Sequence, residues 1–237
     1  MRVSTTEQLM ELLDQLYAAG ADRTSAAAGE FWDGLFEQEG HPLTSDLPDA
    51  GLVAWRAEGL LPAGGGRRAL DLGCGLGRNA RWLAAQGYAV TGVDIAPRAV
   101  ERARSLAGDG VTFHVRDAVR EPVPGGPFDL VYDSGCFHHL APHRRITYLT
   151  MLAENLSPAG LFGICTFAAG RMGTTREDAE LLLRGDLEGG VGYSLKELAE
   201  VFGSLELLDA RAMPPAEAVG EPAFSHDFLQ VALFRRR

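Results

Sequence analysis

Three glycines, Gly73, Gly75 and Gly77, stand two residues apart in ALDLGCGLGRNARWLAAQGYAVTGVD (69–94), between an apolar run and a helix-forming stretch. Without side chains, the backbone there turns tightly and comes close to a ligand. The helix that follows offers unpaired N–H groups and a partial positive end, which attract an anionic group, either a phosphate or a carboxylate. No G-K-[ST] follows, so nothing resembles the phosphate loop of a nucleoside triphosphatase. The spacing is also one residue shorter than the dinucleotide G-x-G-x-x-G. Asp71, just before the first glycine, opposes a pyrophosphate but favours a ligand carrying an ammonium and a sulfonium. Asp94 closes the next apolar run and can accept from both hydroxyls of a ribose. Asp117 closes the one after and can accept from an adenine amino group.

A second set of reactive groups follows FDLVYD (128–133) in DSGCFHHLAPHRRITYL. His138 and His139 titrate near neutral pH and are candidate general bases, or they simply pin this loop. Arg145 is either a fork for an acidic substrate group or a helix-surface residue. Trp32 and Phe36 are i, i+4 neighbours in FWDGLF; they either cover a cationic ligand or pack the interior. Cys74 reads as a small packing residue and Cys136 as a remote candidate nucleophile. His41, His114, His143 and His226 have no metal-ligand spacing and read as surface or packing residues, so no metal is expected.

These residues need a scaffold that brings strand ends together, and the chain supplies one. Residues 67–73, 88–94, 111–117, 128–133, 161–167, LELLDA and FLQVALF read as strands. Helices are expected over 78–86 with Gly87 at the C-terminal end, over 97–107 with Pro97 in the first turn, and over 143–156 with Ile146, Leu149, Ala153 and Leu156 on one face. Ser194 and Glu197 have capping-box spacing before SLKELAEVFG. The alternation of strand and helix predicts an α/β, Rossmann-like doubly wound sheet. Ahead of it, residues 4–19 read as an amphipathic helix with Leu9, Leu12, Leu13 and Leu16 on one face and a Ser4/Glu7 capping box. PAGGG (62–66) is the clearest break, placing an N-terminal helical cap at 1–62 and the main domain at 63–237. The Gly-rich segment 169–192 either lines a site at the sheet edge or is a surface excursion around a short helix.

The composition limits the partners. The 237 residues carry 22 Lys+Arg against 32 Asp+Glu, a formal charge of −10 that opposes binding a nucleic-acid backbone by bulk charge. The hydrophobic share of 46% supports a sizeable core, and no apolar run approaches a bilayer span or a signal core. Cys74, Cys136 and Cys165 lack framework or zinc spacing and fit reduced thiols in a cytoplasm.

Taken together these motifs resemble the class I S-adenosylmethionine-dependent methyltransferases over roughly residues 67–237. ALDLGCGLGRNA is similar to their glycine-rich motif, TGVDIA to the ribose motif and RDA to the adenine motif; FDLVYD and LSPAGLFGI match the fourth and fifth strands. The resemblance implies a seven-stranded sheet with an antiparallel last strand. It further implies that Gly73, Gly75 and Gly77 pack against the methionine part, Asp94 holds the ribose, Ile95 flanks the adenine and Asp117 with Ala118 reads its edge, with Cys74 and Asn79 also among the cofactor-binding residues. Asp71 and Asp133 would stabilise the bound cation. A narrower resemblance, to thiopurine-methyltransferase-like and tellurite-resistance-like enzymes, rests on FWDGLF and on Asp133, Gly135, Arg145 and Tyr148 in a D-x-G…R-x-x-Y pattern. It implies that Trp32 and Phe36 cover the cofactor, and it places Arg145 and Tyr148 on the substrate side. The FHHL stretch departs from that group; by position His138 would face the reacting centre and His139 support the next helix. The expected function is methyl transfer from S-adenosylmethionine, with S-adenosylhomocysteine as product, to a small-molecule S, O or N nucleophile. A protein of the same fold that senses the cofactor or uses it otherwise is the first alternative. A nicotinamide oxidoreductase is disfavoured by the glycine spacing.

Overall fold

The computed structural model describes residues 2–17, 23 and 28–237. The helices are α1 (Thr6–Tyr17), α2 (Ala28–Phe36), α3 (Ala50–Ala57), α4 (Arg78–Ala85), α5 (Pro97–Leu106), α6 (Pro142–Asn155), α7 (Asp178–Arg184) and α8 (Leu195–Val201). The strands are β1 (Arg68–Leu72), β2 (Ala89–Asp94), β3 (Val111–Val115), β4 (Phe128–Ser134), β5 (Leu156–Phe167), β6 (Glu206–Ala212) and β7 (Leu229–Arg235). They form one seven-stranded sheet in the order β3-β2-β1-β4-β5-β7-β6. The first five pair in parallel, and β7 runs antiparallel to both β5 and β6.

Alternation along each central strand sends successive side chains to opposite faces. Leu70, Leu72, Val131, Phe162, Ile164 and Phe234 pack with α6 and α8 on one face. Ala69, Leu130, Tyr132, Val231 and Leu233 pack with α3, α4 and α5 on the other. Buried on both sides, the central strands β1, β2 and β4 carry Asp71, Asp94 and Asp133 toward the carboxyl edge, where doubly wound folds bind ligands.

The ends of the elements follow local chemistry. Gly87 closes α4 with a 6→1 and 5→2 pair: Tyr88 N–H donates to the Leu83 carbonyl at 3.2 Å and Gly87 N–H to that of Ala84 at 2.8 Å. Pro97 opens α5, and Ser194 with Glu197 forms a reciprocal capping box on α8. At α1 the box is shifted by one residue. Thr5 Oγ1 accepts from Gln8 N–H at 3.1 Å, and Gln8 Oε1 accepts from Ser4 N–H, so Gln8 takes the place expected of Glu7.

Three expectations change in the folded chain. Leu9, Leu12 and Leu16 of α1 are exposed, and the helix is held by Tyr17 in the core and by Asp14, which pairs with His143, Arg144 and Arg120. Residues 18 and 19 of the expected helix lie outside the described residues. In α6, Ile146 and Ala153 point outward; the buried face is Tyr148, Met151 and Leu152, because the loop ahead of the helix sets its rotation. Finally, α3, assigned by sequence to the cap, is a core helix whose Leu52 and Trp55 are fully buried against the sheet.

Candidate cofactor and acceptor site

A cavity of about 400 Å³ opens at the carboxyl edge of β1 to β5. Its floor is the turn after β1. Gly75 has φ +50°, and a Cβ there would lie 2.6 Å from Phe36 Cζ, so only glycine lets the ring lie on the turn. Asp94 ties this turn to β2: its Oδ2 accepts from Gly75 N–H at 2.7 Å and its Oδ1 from Ala96 N–H at 2.8 Å. Each oxygen keeps a further lone pair for a ligand hydroxyl. Burial raises the Asp94 carboxyl above its ordinary range, and those backbone donors oppose the rise.

Ile95, Asp117 and Ala118 line the adjoining wall beyond β2 and β3. Asp117 Oδ2 accepts from Arg120 at 2.6 Å, and Arg120 also pairs with Asp14 of α1. The roof is α2, with Trp32 and Phe36 facing the cavity. Asp33, between them, turns the other way and is buried. Its Oδ1 accepts from Arg98 N–H at 2.9 Å and Ala99 N–H at 3.0 Å, satisfying the start of α5, which has no side-chain cap of its own. That bond fastens the aromatic roof to the ribose wall. It was legible only as an Asp one residue from the tryptophan.

His138 and His139 form the wall beyond β4, both almost fully buried. Phe167 N–H donates to His138 Nδ1 at 3.3 Å, and the two rings stack with centroids 3.7 Å apart. With Nδ1 accepting, the neutral ring carries its hydrogen on Nε2, which faces His139 Nε2 at 3.1 Å. His139 therefore accepts at Nε2 and donates at Nδ1 to the Gly189 carbonyl, which also takes the Arg23 guanidinium. Burial, with Arg23 beside it, pushes the His138 ring down to about 3, and His139 falls well below its ordinary value for the same leading reason. Both rings are neutral near pH 7. His138, preferred as base from the sequence, has its lone pair engaged by a backbone N–H. The lone pair of His139 meets only a side-chain N–H that a ligand can replace. Segment 169–192 enters the site through Met172 and through this Gly189 contact.

Five expected site residues stand behind the cavity rather than on it. Asp133 accepts from Cys136 N–H at 2.7 Å, Phe137 N–H at 3.1 Å and the Tyr148 hydroxyl at 2.7 Å, so it shapes the histidine loop and does not face a cation. Burial pushes its carboxyl up to about 7. Tyr148 is fully buried in that bond. Arg145 donates to Asp178 at 2.6 Å and to the Leu140 carbonyl at 3.3 Å, joining α6 to α7. The D-x-G…R-x-x-Y pattern is thus a brace behind the site. Asp71 accepts from Ala80 N–H at 2.9 Å, holding β1 to α4, and burial lifts it to about 7. Gly77, at φ +76°, is glycine because a Cβ would lie 2.5 Å from Phe113 Cζ; it serves packing between α4 and the sheet. Cys74 and Asn79 border the cavity, and Asn79 Oδ1 accepts from Asp49 N–H at 2.9 Å.

Sequence reasoning missed a polar cluster at the opposite end. Asp49, fully buried at the start of α3, accepts from the Tyr132 hydroxyl at 2.7 Å, the Ser134 hydroxyl at 2.5 Å and Arg78 at 2.7 Å. Its only signal was an acid ahead of a helix. His41, expected at the surface or in packing, borders the cavity, with Nδ1 accepting from Leu43 N–H. Cys136 also borders it, but burial raises its thiol well above the ordinary value, which removes it as a nucleophile.

The residues fit an adenosyl amino acid: a side-chain-free turn, a carboxylate with spare lone pairs beside it, and an aromatic roof. Residues 69–160 match the family described as a methyltransferase domain. An uncharacterised methyltransferase of Schizosaccharomyces pombe is 46% identical over 88 residues, covering 36% of this chain and 61% of the relative. The 27-O-demethylrifamycin SV methyltransferase of Amycolatopsis mediterranei is 35% identical over 118 residues, covering 47% of this chain and 43% of that one. Among solved structures, a TehB-like methyltransferase of Corynebacterium glutamicum superposes with a TM-score of 0.55 at 25% identity, over 78% of this chain and 87% of that one. The chain thus spans about 61% of the length of the fission-yeast relative. Residues 69–160 thus carry the match to a methyltransferase domain, and they lie within a Rossmann-like seven-stranded sheet whose last strand is antiparallel.

Proposed function

We propose that this protein transfers a methyl group from S-adenosylmethionine to a small-molecule S, O or N nucleophile, yielding S-adenosylhomocysteine. The observation that carries the reading is one cavity that joins the glycine turn and Asp94 to the His138–His139 pair beneath an aromatic roof. When bound, the cofactor supplies a methyl already activated on a sulfonium, so the protein's work is alignment and exclusion of water. Gly73 and Gly75 receive the amino-acid end, Asp94 the ribose hydroxyls, and Ile95, Asp117 and Ala118 the adenine. Trp32 and Phe36 close over the cation, where aromatic faces are favourable. Pro42, Leu43, Phe167, Met172, Phe224 and Phe228 add apolar lining to the cavity, against which the acceptor would pack.

His139 is the base in this reading. An acceptor X–H that displaces the histidine–histidine contact gives its proton to His139 Nε2 while accepting from His138 Nε2–H. A ring with so low a pKa does not deprotonate the acceptor in advance. It takes the proton as the sulfonium charge disappears, so the total charge in the cavity stays constant. The net acidity of the chain favours a small acceptor over a nucleic acid. Free thiols at all three cysteines fit a cytoplasmic setting. Among the described residues, no helix is long and apolar enough to cross a membrane.

Isothermal titration with S-adenosylmethionine, S-adenosylhomocysteine and NADH tests the reading. Binding of the first two without the third is expected, and NADH binding alone would overturn it. Bound cofactor that no acceptor ever consumes would favour the sensing alternative.

A further inference from the structure

Burial divides the eleven phenylalanines of this chain into two groups. Six lie in the core and are at most 3% exposed. The other five, Phe31, Phe36, Phe167, Phe224 and Phe228, are half-buried, and all five border the cavity. Phe31 and Phe36 belong to α2, and Phe36 lies on the glycine turn. Phe167 ends β5 while Phe224 and Phe228 precede β7, so these three form a second aromatic wall. Each of its rings is backed by a planar nitrogen group. His138 stacks on Phe167 at 3.7 Å, His226 stacks on Phe228 at 4.8 Å, and the Arg78 Cζ lies 3.8 Å over the centre of Phe224. His226 also meets the Phe224 ring at 5.0 Å, and Phe167 meets Phe228 edge to face at 6.1 Å. The three rings are therefore fixed relative to one another.

Ring surface left open inside a cavity favours a ligand that covers it, and each aromatic pair adds about 2- to 10-fold in affinity beyond simple burial. Charge offers little at this wall. Arg78 pairs with Asp49, Arg116 with Glu121, and Arg23 donates to the Gly189 carbonyl. Asp94 and Asp117 stand beyond β2 and β3, with β1 and β4 between them and Phe167. An anionic acceptor thus meets no free cation here, and an ammonium meets no carboxylate. The stack on His138 joins the wall to the histidine pair, where His138 Nε2–H and the His139 Nε2 lone pair face each other at 3.1 Å. A hydroxyl oxygen matches both, because it donates once and accepts once. A carbonyl or ether only accepts, and an ammonium only donates.

We propose that the methyl acceptor is an uncharged phenol, its aromatic ring packed against Phe167, Phe224 and Phe228 and its hydroxyl on the His138–His139 pair. This deepens the methyltransferase reading and rests on it. The O–H bond breaks, and its electron pair forms the bond from oxygen to the methyl carbon. The pair of the broken S–C bond stays on sulfur as a neutral thioether. The proton goes to His139 Nε2 and on to solvent once the product leaves.

The test is calorimetric titration of the whole protein saturated with S-adenosylhomocysteine, using four probes. These are 2-naphthol, decahydro-2-naphthol (the same skeleton without aromatic faces), 2-naphthoate (the ring with a negative charge) and naphthalene (the ring without a hydroxyl). 2-Naphthol should bind about 10-fold tighter than each of the others. Phe228→Leu keeps apolar bulk and loses the ring. It should weaken 2-naphthol about 2- to 10-fold and leave decahydro-2-naphthol and S-adenosylhomocysteine unchanged. Should that variant fail to fold, Phe224→Leu takes its place with the same expectation. The proposal is overturned if any other probe binds as tightly as 2-naphthol, if the saturated protein binds none of them, or if the leucine variant keeps full 2-naphthol affinity. A wild type that does not bind S-adenosylhomocysteine removes the methyltransferase reading instead. The four probes on the unliganded protein then decide the wall: preference for 2-naphthol supports it, and no preference overturns it.

Discussion

His138 and Asp71 are buried in opposite protonation senses, and acid titration of stability should expose both. His138 has an ordinary value of 6.5 unfolded and about 3 folded. Below pH 6.5 the unfolded chain takes up a proton that the folded ring refuses. Its contribution to stability is therefore present above pH 6.5 and lost as pH falls toward 3. Asp71 moves the other way, from 3.8 unfolded to about 7 folded. Its contribution is present below pH 3.8 and lost as pH rises through 7. Both windows include the span from about pH 6.5 to 4, where each group changes stability by roughly 1.4 kcal/mol per pH unit, or about 3 kcal/mol in total, with opposite sign. Urea unfolding followed by tryptophan fluorescence at stepped pH measures this. His138→Gln, which keeps an acceptor for Phe167 N–H, should lose less stability in acid than the wild type. Asp71→Asn, which keeps an acceptor for Ala80 N–H, should lose more. The double variant should return to the wild-type slope, because the two sites share no hydrogen bond. A His138→Gln slope equal to the wild type, or steeper, would refute the burial argument.

Asp94→Ala should weaken S-adenosylhomocysteine binding by about 1–3 kcal/mol, since it deletes a charged acceptor; calorimetry with an unchanged dissociation constant would remove the ribose from this position. Tyr148→Phe should lower stability by about 1–2 kcal/mol, because Asp133 then lacks a donor, while leaving the KM of any identified acceptor unchanged. A raised KM at unchanged stability would restore the substrate role implied by resemblance. Cofactor binding should release protons near pH 7, because a cationic ligand draws the Asp71 carboxyl, raised to about 7, toward ionisation, and the release should fade as pH rises above that value. Titration in two buffers of different ionisation enthalpy reads the proton count, and uptake instead of release would contradict this electrostatic account.

The sheet was legible because buried strands, glycine turns and prolines are local signals. Gly87, Pro97 and the Ser194/Glu197 pair act over three or four residues, and each marks the end it was expected to mark. The floor and walls of the cavity were legible for the same reason, since strand-end acids sit at fixed places on such a sheet. What failed were inferences that depend on rotation or on distant partners. The α6 face was set by hydrophobic spacing, but the loop braced by Asp133 turns that helix so that Tyr148 faces inward. Arg145 and Asp178 are 33 residues apart, and no periodicity announces their pairing. Asp49 and Arg78 meet only because α3 packs as a core helix, a fact hidden by the break at Pro62.

Burial around the cavity drives every shifted group toward neutrality: Asp71 and Asp94 upward, His138 and His139 downward. For a neutral or anionic ligand that environment offers little. For a sulfonium it offers carboxylates that ionise when a cation arrives and imidazoles that have no charge to repel it. In the proposed reaction the same burial would keep His139 neutral until the acceptor gives up its proton. The residues that hold the two rings in place lie behind the cavity. Asp133 and Tyr148 hold the histidine loop, Phe167 N–H sets the tautomer, and Gly189 takes the outgoing N–H. A substitution in that brace should therefore disturb proton transfer to the base more than it disturbs binding of either substrate.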